Sequence, residues 1–134
     1  SERSYIGGGT FSANPTSMSS GYATLNYLKT EKSSYQKINS LGDYARKELE
    51  KVFDGKVIVT GKGSLFMTHF VKNNISEITN STDVAKCDSE MLQKYHFKMI
   101  SQDGIFFLPG KLGAISISHS KEDIKKIIQS SENF

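Results

Sequence analysis

A glycine-rich turn leading directly into a helix lies near the start of this chain. The segment reads Gly7-Gly8-Gly9-Thr10-Phe11-Ser12-Ala13-Asn14-Pro15. Glycines let the backbone turn tightly and approach a ligand closely, while Asn14 is a favourable N-cap and Pro15 a favourable first helical residue. Such a turn exposes backbone N–H groups that suit a phosphate. Gly9 and Thr10, which adds a hydroxyl, are therefore candidate phosphate-binding residues, although the segment has neither the Walker lysine nor a GxGxxG pattern.

Length and composition indicate a globular protein of about one domain. The 134 residues are 37% hydrophobic and 23% charged, which is typical of a packed rather than a disordered chain. The net charge of +3 is small and spread out, so we expect no nucleic-acid partner. The single cysteine, Cys87, cannot form an intrachain disulfide and favours a reducing, cytoplasmic location. We expect no membrane partner, since the chain has no apolar stretch of about 18 residues.

Apolar residues at helical spacing predict four helices. The predicted helices run from Pro15 to about Lys32, from an N-cap at Ser34 to Phe53, from about Asp83 to Ile100, and onward from a capping box at Ser120–Asp123. The third helix is predicted to bury one stripe, made of Val84, Cys87, Met91 and Tyr95, with Leu92 and Met99 on the same side. The last helix is predicted to turn Ile124, Ile127 and Ile128 inward.

Runs rich in β-branched and aromatic residues predict three or four strands. Val57–Thr60 and Leu65–Val71 flank the turn Gly61–Ser64 and predict an antiparallel hairpin. Ile105–Leu108 and Ala114–Ser118 are predicted as further strands. The expected fold class is therefore α+β, with a mostly antiparallel sheet covered by helices on one face.

Other polar features admit a functional interpretation, but a structural one is favoured for each. A hairpin needs the glycines of Gly61–Ser64 for its own geometry. His69 is isolated within a strand, and the three histidines lack the spacing of metal ligands, so no metal site is predicted. Cys87 is expected to have no catalytic role. Lys121, Lys125 and Lys126 are expected to form a solvated helix face rather than a binding patch.

Several segments resemble class III pyridoxal-phosphate (PLP) aminotransferases, with glutamate-1-semialdehyde 2,1-aminomutase as the nearest branch. Residues 9–15 resemble the family's G-T-[FY]-x-G-N-P segment, and Leu41-Gly42, Arg46 and Leu49 match a Leu-Gly-x-x-x-Arg-x-x-Leu run. Two further matches come later in the chain. They are Gly104–Pro109, similar to G-[VI]-[YF]-x-x-P, and Ser116–Ile124, similar to S-x-x-H-[ST]-x-[ED]-D-[IL]. The resemblance extends in order from Gly8 to Gln129.

The resemblance implies the C-terminal part of a fold-type I PLP enzyme. Residues 1–14 would end the large domain as the cofactor-phosphate loop, 15–32 would form a long linking helix, and 33–134 a small C-terminal domain. In the family the loop threonine, here Thr10 beside Gly9, crosses a homodimer interface to bind the cofactor phosphate of the neighbouring subunit. The Schiff-base lysine lies upstream, and no lysine precedes Gly7. The chain would therefore contain no catalytic residue, would need an upstream large domain, and would be inactive alone.

By resemblance the parent enzyme would move an amino group on a small amino-acid-type substrate, in 5-aminolevulinate and tetrapyrrole biosynthesis. Two departures from the family pattern are visible. Ala13 stands in place of a glycine, and the segment at residues 110–114 is shorter than the corresponding segment of the family and contains no glutamate. The second departure leaves the substrate open. The alternatives are another class III aminotransferase, or a stand-alone α+β module that binds a ligand or a protein.

The predicted linking helix has an apolar stripe at Met18, Tyr22 and Leu25. Without a covering domain this stripe would be exposed, and we expect an isolated chain to associate with itself through it.

Overall fold

The computed structural model describes residues 9–72 and 75–134. Gly7 and Gly8 of the predicted loop lie outside the described residues. The chain divides into two compact units, Ser1–Tyr35 and Gln36–Phe134. The boundary falls inside the second helix, three residues beyond the boundary at 32/33 predicted between linking helix and small domain, which remains a prediction.

The first unit contains the glycine-rich turn and helix α1, Pro15–Thr30. Asn14 is the N-cap and Pro15 the first helical residue, as predicted. The helix ends two residues earlier than expected, where the N–H of Glu31 donates to the carbonyl of Tyr27 at 2.8 Å. Helix α2, Lys32–Val52, begins before Ser34, so the prediction of Ser34 as an N-cap is wrong.

The predicted third helix is in fact two helices, α3, Ser81–Ala85, and α4, Ser89–Ser101. Asp88 separates them: its side chain accepts the N–H of Met91 as the N-cap of α4, and its own N–H donates to the carbonyl of Phe70 at 2.8 Å. The interruption changes the helical phase, so the predicted stripe is only partly right. Leu92, Tyr95 and Met99 are buried, whereas Val84 and Met91 are exposed.

Three antiparallel strands form an open sheet in the order β1-β2-β3. They are β1, Val57–Thr60, β2, Leu65–Phe70, and β3, Gly113–Ala114. Val57 pairs with Phe70, and Thr60 pairs with Met67, so the predicted hairpin is confirmed. The α+β prediction, with three to four mostly antiparallel strands, is confirmed as well.

Two strand predictions are wrong in whole or in part. Ile105–Leu108 joins no ladder among the described residues, and the N–H of Ile105 donates instead to the carbonyl of Met99 in α4 at 2.8 Å. Of Ala114–Ser118, only Ala114 is in a strand. The chain turns immediately afterwards, where the N–H of Ser116 donates to Nδ1 of His119 at 2.9 Å.

One hydrophobic core joins one face of the sheet to α2, α4 and the last helix, α5, Lys121–Glu132. The predicted capping box is present: Ser120 and Asp123 exchange side-chain and backbone hydrogen bonds. Ile124 and Ile128 are buried as predicted, and Ile127 packs against the core. Edge-on aromatic contacts fill its centre. They join Phe53, Phe70, Tyr95 and Phe134.

Helix α2 lies directly against the hairpin turn. A Cβ atom on Gly42 would come within 1.9 Å of the Gly63 carbonyl oxygen, so only glycine permits this approach. Arg46 donates from Nη1 to the carbonyls of Gly63 at 2.9 Å and Leu65 at 2.6 Å, and its Nη2 pairs with Asp43. The guanidinium of Arg46 therefore satisfies two carbonyls of the hairpin turn and ties α2 to it.

Candidate functional site

The glycine-rich segment forms a compact turn before α1. The N–H of Gly9 donates to Oγ of Ser12 at 2.9 Å, and the N–H of Ser12 donates back to the Gly9 carbonyl at 2.8 Å. The N–H of Asn14 donates to the Phe11 carbonyl at 3.2 Å. These reciprocal bonds fix the turn through its own atoms, so its shape is set locally.

Ala13 adopts the left-handed conformation, with φ of 56°. An L-residue with a Cβ atom pays roughly 1–2 kcal/mol for this conformation, whereas glycine does not. The position therefore favours glycine for its backbone alone, and the alanine of this chain keeps the turn at a local energetic cost.

The turn delivers the chain into a well-capped helix N-terminus. Oδ1 of Asn14 accepts the N–H groups of Thr16 at 3.0 Å and Ser17 at 3.4 Å. The first turn of α1 contains no acidic residue, so nothing within it offsets the partial positive charge of the helix end. An anion near this end is electrostatically favoured.

Donors for a phosphate are present at Thr10 and Phe11. Both residues are exposed, and within residues 9–72 and 75–134 neither their backbone N–H groups nor the Thr10 hydroxyl makes a hydrogen bond. A hydroxyl and two adjacent N–H groups beside a helix N-terminus match the acceptor chemistry of a phosphate. The N–H of Gly9 is already bonded to Ser12, so Gly9 shapes the turn and offers no free amide donor.

The other candidate residues have structural partners. Nε2 of His69 lies 2.8 Å from Oγ1 of Thr60, and burial lowers the pKa of His69, which is what a packed neutral histidine requires. Burial also raises the pKa of the Cys87 thiol, which disfavours the reactive thiolate. The hairpin turn Gly61–Ser64 is occupied by contacts with α2. In the described part of the chain, no three His, Cys, Asp or Glu side chains cluster as metal ligands.

The lysines of α5 also have structural contacts. Nζ of Lys125 lies 3.7 Å from a carboxylate oxygen of Glu122, and Nζ of Lys121 lies 4.9 Å from the centre of the Tyr44 ring. These contacts support the interpretation of a solvated helix face. Within the two described ranges, every helix is too short or too polar to cross a bilayer.

Comparison with known proteins confirms the resemblance to glutamate-1-semialdehyde 2,1-aminomutases. No family model matches the chain. It is 35% identical over 130 residues to glutamate-1-semialdehyde 2,1-aminomutase 1 of Staphylococcus epidermidis, an alignment covering 93% of this chain. The chain spans only 29% of that relative's length.

Solved transaminase structures share the fold. A β-phenylalanine aminotransferase from Variovorax paradoxus superposes with a TM-score of 0.75 and 24% identity, over 97% of this chain and 30% of that one. A transaminase solved with PLP bound superposes with a TM-score of 0.68 and 27% identity, over 96% and 28%. Both matches are again to about three-tenths of a longer protein.

Proposed function

We propose that this chain is the C-terminal part of a PLP-dependent aminotransferase or aminomutase, similar to the glutamate-1-semialdehyde 2,1-aminomutases. The observation that carries the proposal is the exposed turn at residues 9–14 before α1, whose Thr10 donors make no hydrogen bond within residues 9–72 and 75–134. The turn occurs in a chain that aligns with an aminomutase over 93% of its length. A phosphate-binding turn alone would fit many proteins, and the two observations together favour this class.

In the proposed role the turn binds the phosphate of PLP. The Thr10 hydroxyl and the N–H groups of Thr10 and Phe11 donate to phosphate oxygens, and the helix end contributes favourable electrostatics. Gly9 and Ser12 hold the turn in shape through their two reciprocal hydrogen bonds. The bound cofactor supplies an electron sink for amino-group chemistry. The turn of this chain anchors the cofactor phosphate, and the lysine that forms the Schiff base with the cofactor belongs to an upstream domain.

The proposed assembly is a homodimer in which Thr10 serves the cofactor of the neighbouring subunit. Residues 1–14 would end the large domain, residues 15–32 would link it to the small one, and residues 33–134 would form the small domain. A small amino-acid-type substrate and a cytoplasmic location complete the proposal. The absence of a glutamate from residues 110–114 keeps the identity of that substrate open between the semialdehyde and other amino-group donors.

The test begins with the coding sequence upstream of Ser1. We expect a continuous frame that encodes a large domain with a cofactor lysine, and the longer protein should hold PLP reducible by borohydride. Thr10→Ala in that protein should weaken PLP binding about 10- to 100-fold, because a hydrogen bond to a charged group contributes roughly 1.5–3 kcal/mol. Cofactor affinity is measured from the absorbance of the PLP that stays bound to the protein during dilution and dialysis.

Two variants make the result specific. Thr10→Ser keeps the hydroxyl and should retain most of the affinity. Thr24→Ala removes an exposed hydroxyl that donates within α1 to the Ser20 carbonyl at 2.8 Å, and should bind PLP like the unaltered protein. If Thr10→Ala and Thr24→Ala bind equally well, the role of Thr10 is wrong. A start codon at or near Ser1 would contradict the proposed enzyme and favour a stand-alone binding module.

A further inference from the structure

The segment from Ile105 to Leu112 connects α4 to β3 without belonging to a helix or strand. Its side chains alternate sharply in exposure. Phe107 is 6% exposed, whereas its neighbours Phe106 and Leu108 are 77% and 57% exposed. Phe107 therefore anchors the middle of the segment in the core, and its two neighbours lie on the surface. At the start of the segment, Ile105 packs against the core and its N–H donates to the Met99 carbonyl at 2.8 Å.

His96 of α4 contacts this segment in two ways. Its ring is stacked on Phe107, with ring centres 4.9 Å apart and planes 4° apart. Its Nδ1 lies 3.1 Å from the backbone nitrogen of Gly110, which donates to it. A backbone N–H can only donate, so Nδ1 must carry a lone pair and the proton must reside on Nε2. The contact exists only while the imidazole is neutral.

We propose that His96 is an acid-sensitive latch for the segment Ile105–Leu112. The neutral ring holds Gly110 and Phe107 against α4. A proton on Nδ1 would point at the N–H of Gly110, so two donors would face each other and the hydrogen bond would be lost. The charged ring would also be nearly fully buried, since His96 is 2% exposed, and burial of an unpaired charge is costly. Release of the segment relieves both penalties.

Release would remodel a cavity that this segment lines. This cavity has a volume of about 630 Å³. The segment contributes Phe106, Phe107, Leu108 and Leu112 to its lining, opposite Phe66 and Ile127. Asp103, His119, Asp123 and Lys126 also line the cavity, and a cavity of this size is within the range that binds small molecules. The latch would thus make an apolar surface dependent on pH.

The direction of the pH dependence follows from the burial of the ring. Burial lowers the pKa of His96 below its ordinary value of 6.5, so the folded chain binds the proton less readily than the unlatched one. The latch is therefore fully closed above pH 6.5 and is lost progressively as the pH falls below 6.5. Burial is the cause of the lowered pKa of His96. The titratable and charged residues nearest in sequence to His96 and Gly110 are Lys94, Tyr95 and Lys98 of α4, Asp103, which pairs with Lys98 at 2.9 Å, and Lys111.

Nuclear magnetic resonance of the 134-residue chain tests the latch. Imidazole ¹⁵N shifts of His96 above pH 7 should show the Nε2–H tautomer. On acidification the Gly110 amide resonance should move with the same midpoint as His96, and its protection from hydrogen exchange should fall. The protection factor of the Gly110 amide should fall about tenfold for each unit by which the pKa of His96 is lower in the closed state than in the open state. The amide of Leu92, which donates to Asp88 within α4, should stay protected.

Two variants distinguish a latch from general acid sensitivity. The glutamine of His96→Gln can still accept the N–H of Gly110 but cannot titrate. The Gly110 amide resonance of this variant should therefore shift between about pH 7.5 and about pH 5 by no more than the measurement error. His119→Gln should behave like the unaltered chain. The proposal fails if the neutral ring of His96 carries its proton on Nδ1. It also fails if the Gly110 amide does not titrate, or titrates equally in His96→Gln.

Discussion

Tyr95 shows how one buried residue joins two helices. Its hydroxyl lies 2.8 Å from Oγ of Ser131, and that serine in turn donates to the Ile127 carbonyl at 2.7 Å. Its ring makes edge contacts with Phe53 and Phe70. The phenol therefore combines apolar packing with a satisfied hydroxyl, the usual arrangement for a buried tyrosine.

The ionisation of Tyr95 gives a prediction about alkaline stability. Burial raises the pKa of Tyr95 to about 12 from an ordinary value of 10.0, because the phenolate would lose its solvation. The protonated phenol of Tyr95 therefore contributes to the free energy of unfolding, and this contribution is fully present below pH 10 and is lost as the pH rises from 10 through about 12. The free energy of unfolding should fall by about 2–3 kcal/mol across this range, as measured by urea unfolding.

Tyr95→Phe is the matched control for this prediction. It removes the titrating hydroxyl and one hydrogen bond, so it should cost roughly 0.5–1.5 kcal/mol at pH 8. The gap between the two proteins should narrow above pH 10, since only the tyrosine form loses this contribution. A constant gap from pH 8 to 11 would show that Tyr95 does not titrate as argued.

At the scale of elements, α2 packs closely on the hairpin turn. Gly42→Ala would force the helix and the Gly63 carbonyl apart, since the added Cβ would lie 1.9 Å from that oxygen. It would also disturb the Arg46 hydrogen bonds to the same turn. We expect a loss of about 1–3 kcal/mol in the free energy of unfolding, from overpacking, measured by urea unfolding.

A substitution in the same helix separates packing from helix propensity. Ser40 is exposed on α2, and Ser40→Ala should change stability by less than about 0.5 kcal/mol. Alanine is the better helix former at both positions, so a destabilised Gly42→Ala protein can only reflect the contact with the turn. Equal stabilities for the two variants would contradict the close approach.

At the scale of the whole molecule, the exposed face of α1 is the feature that bears on assembly. This helix contains no buried residue, and Met18, Tyr22 and Leu25 are 61%, 71% and 68% exposed. Lys29 is the only charged residue in its sixteen. A helix with so little charge and so much exposed apolar area favours association.

We therefore predict that the 134-residue chain associates with itself as its concentration rises. Sedimentation velocity over a concentration series should show a shift to larger species. Met18→Ser combined with Leu25→Ser should abolish that shift, because it removes the apolar stripe. Phe106→Ser, which alters a residue 77% exposed in the second unit, should leave the association unchanged. A chain that stays monomeric at every concentration would contradict the prediction.

Local chemistry by itself determined much of this protein. The N-cap at Asn14, the capping box at Ser120 and Asp123, and the hairpin Val57–Phe70 were all predictable, because each depends on residues close in sequence. The candidate phosphate turn belongs to the same class, since its hydrogen bonds join residues within three positions of one another.

Contacts between residues distant in sequence decided the rest. The break before α4 depends on the bond from Asp88 to Phe70, and His96 contacts Phe107 and Gly110 in a segment where the sequence predicts a strand. The role of Arg46 depends on a turn 17 residues away. Helix periodicity and strand propensity contain no information about these partners. Tertiary packing therefore overrides the local pattern at the places where the chain must satisfy a buried backbone group.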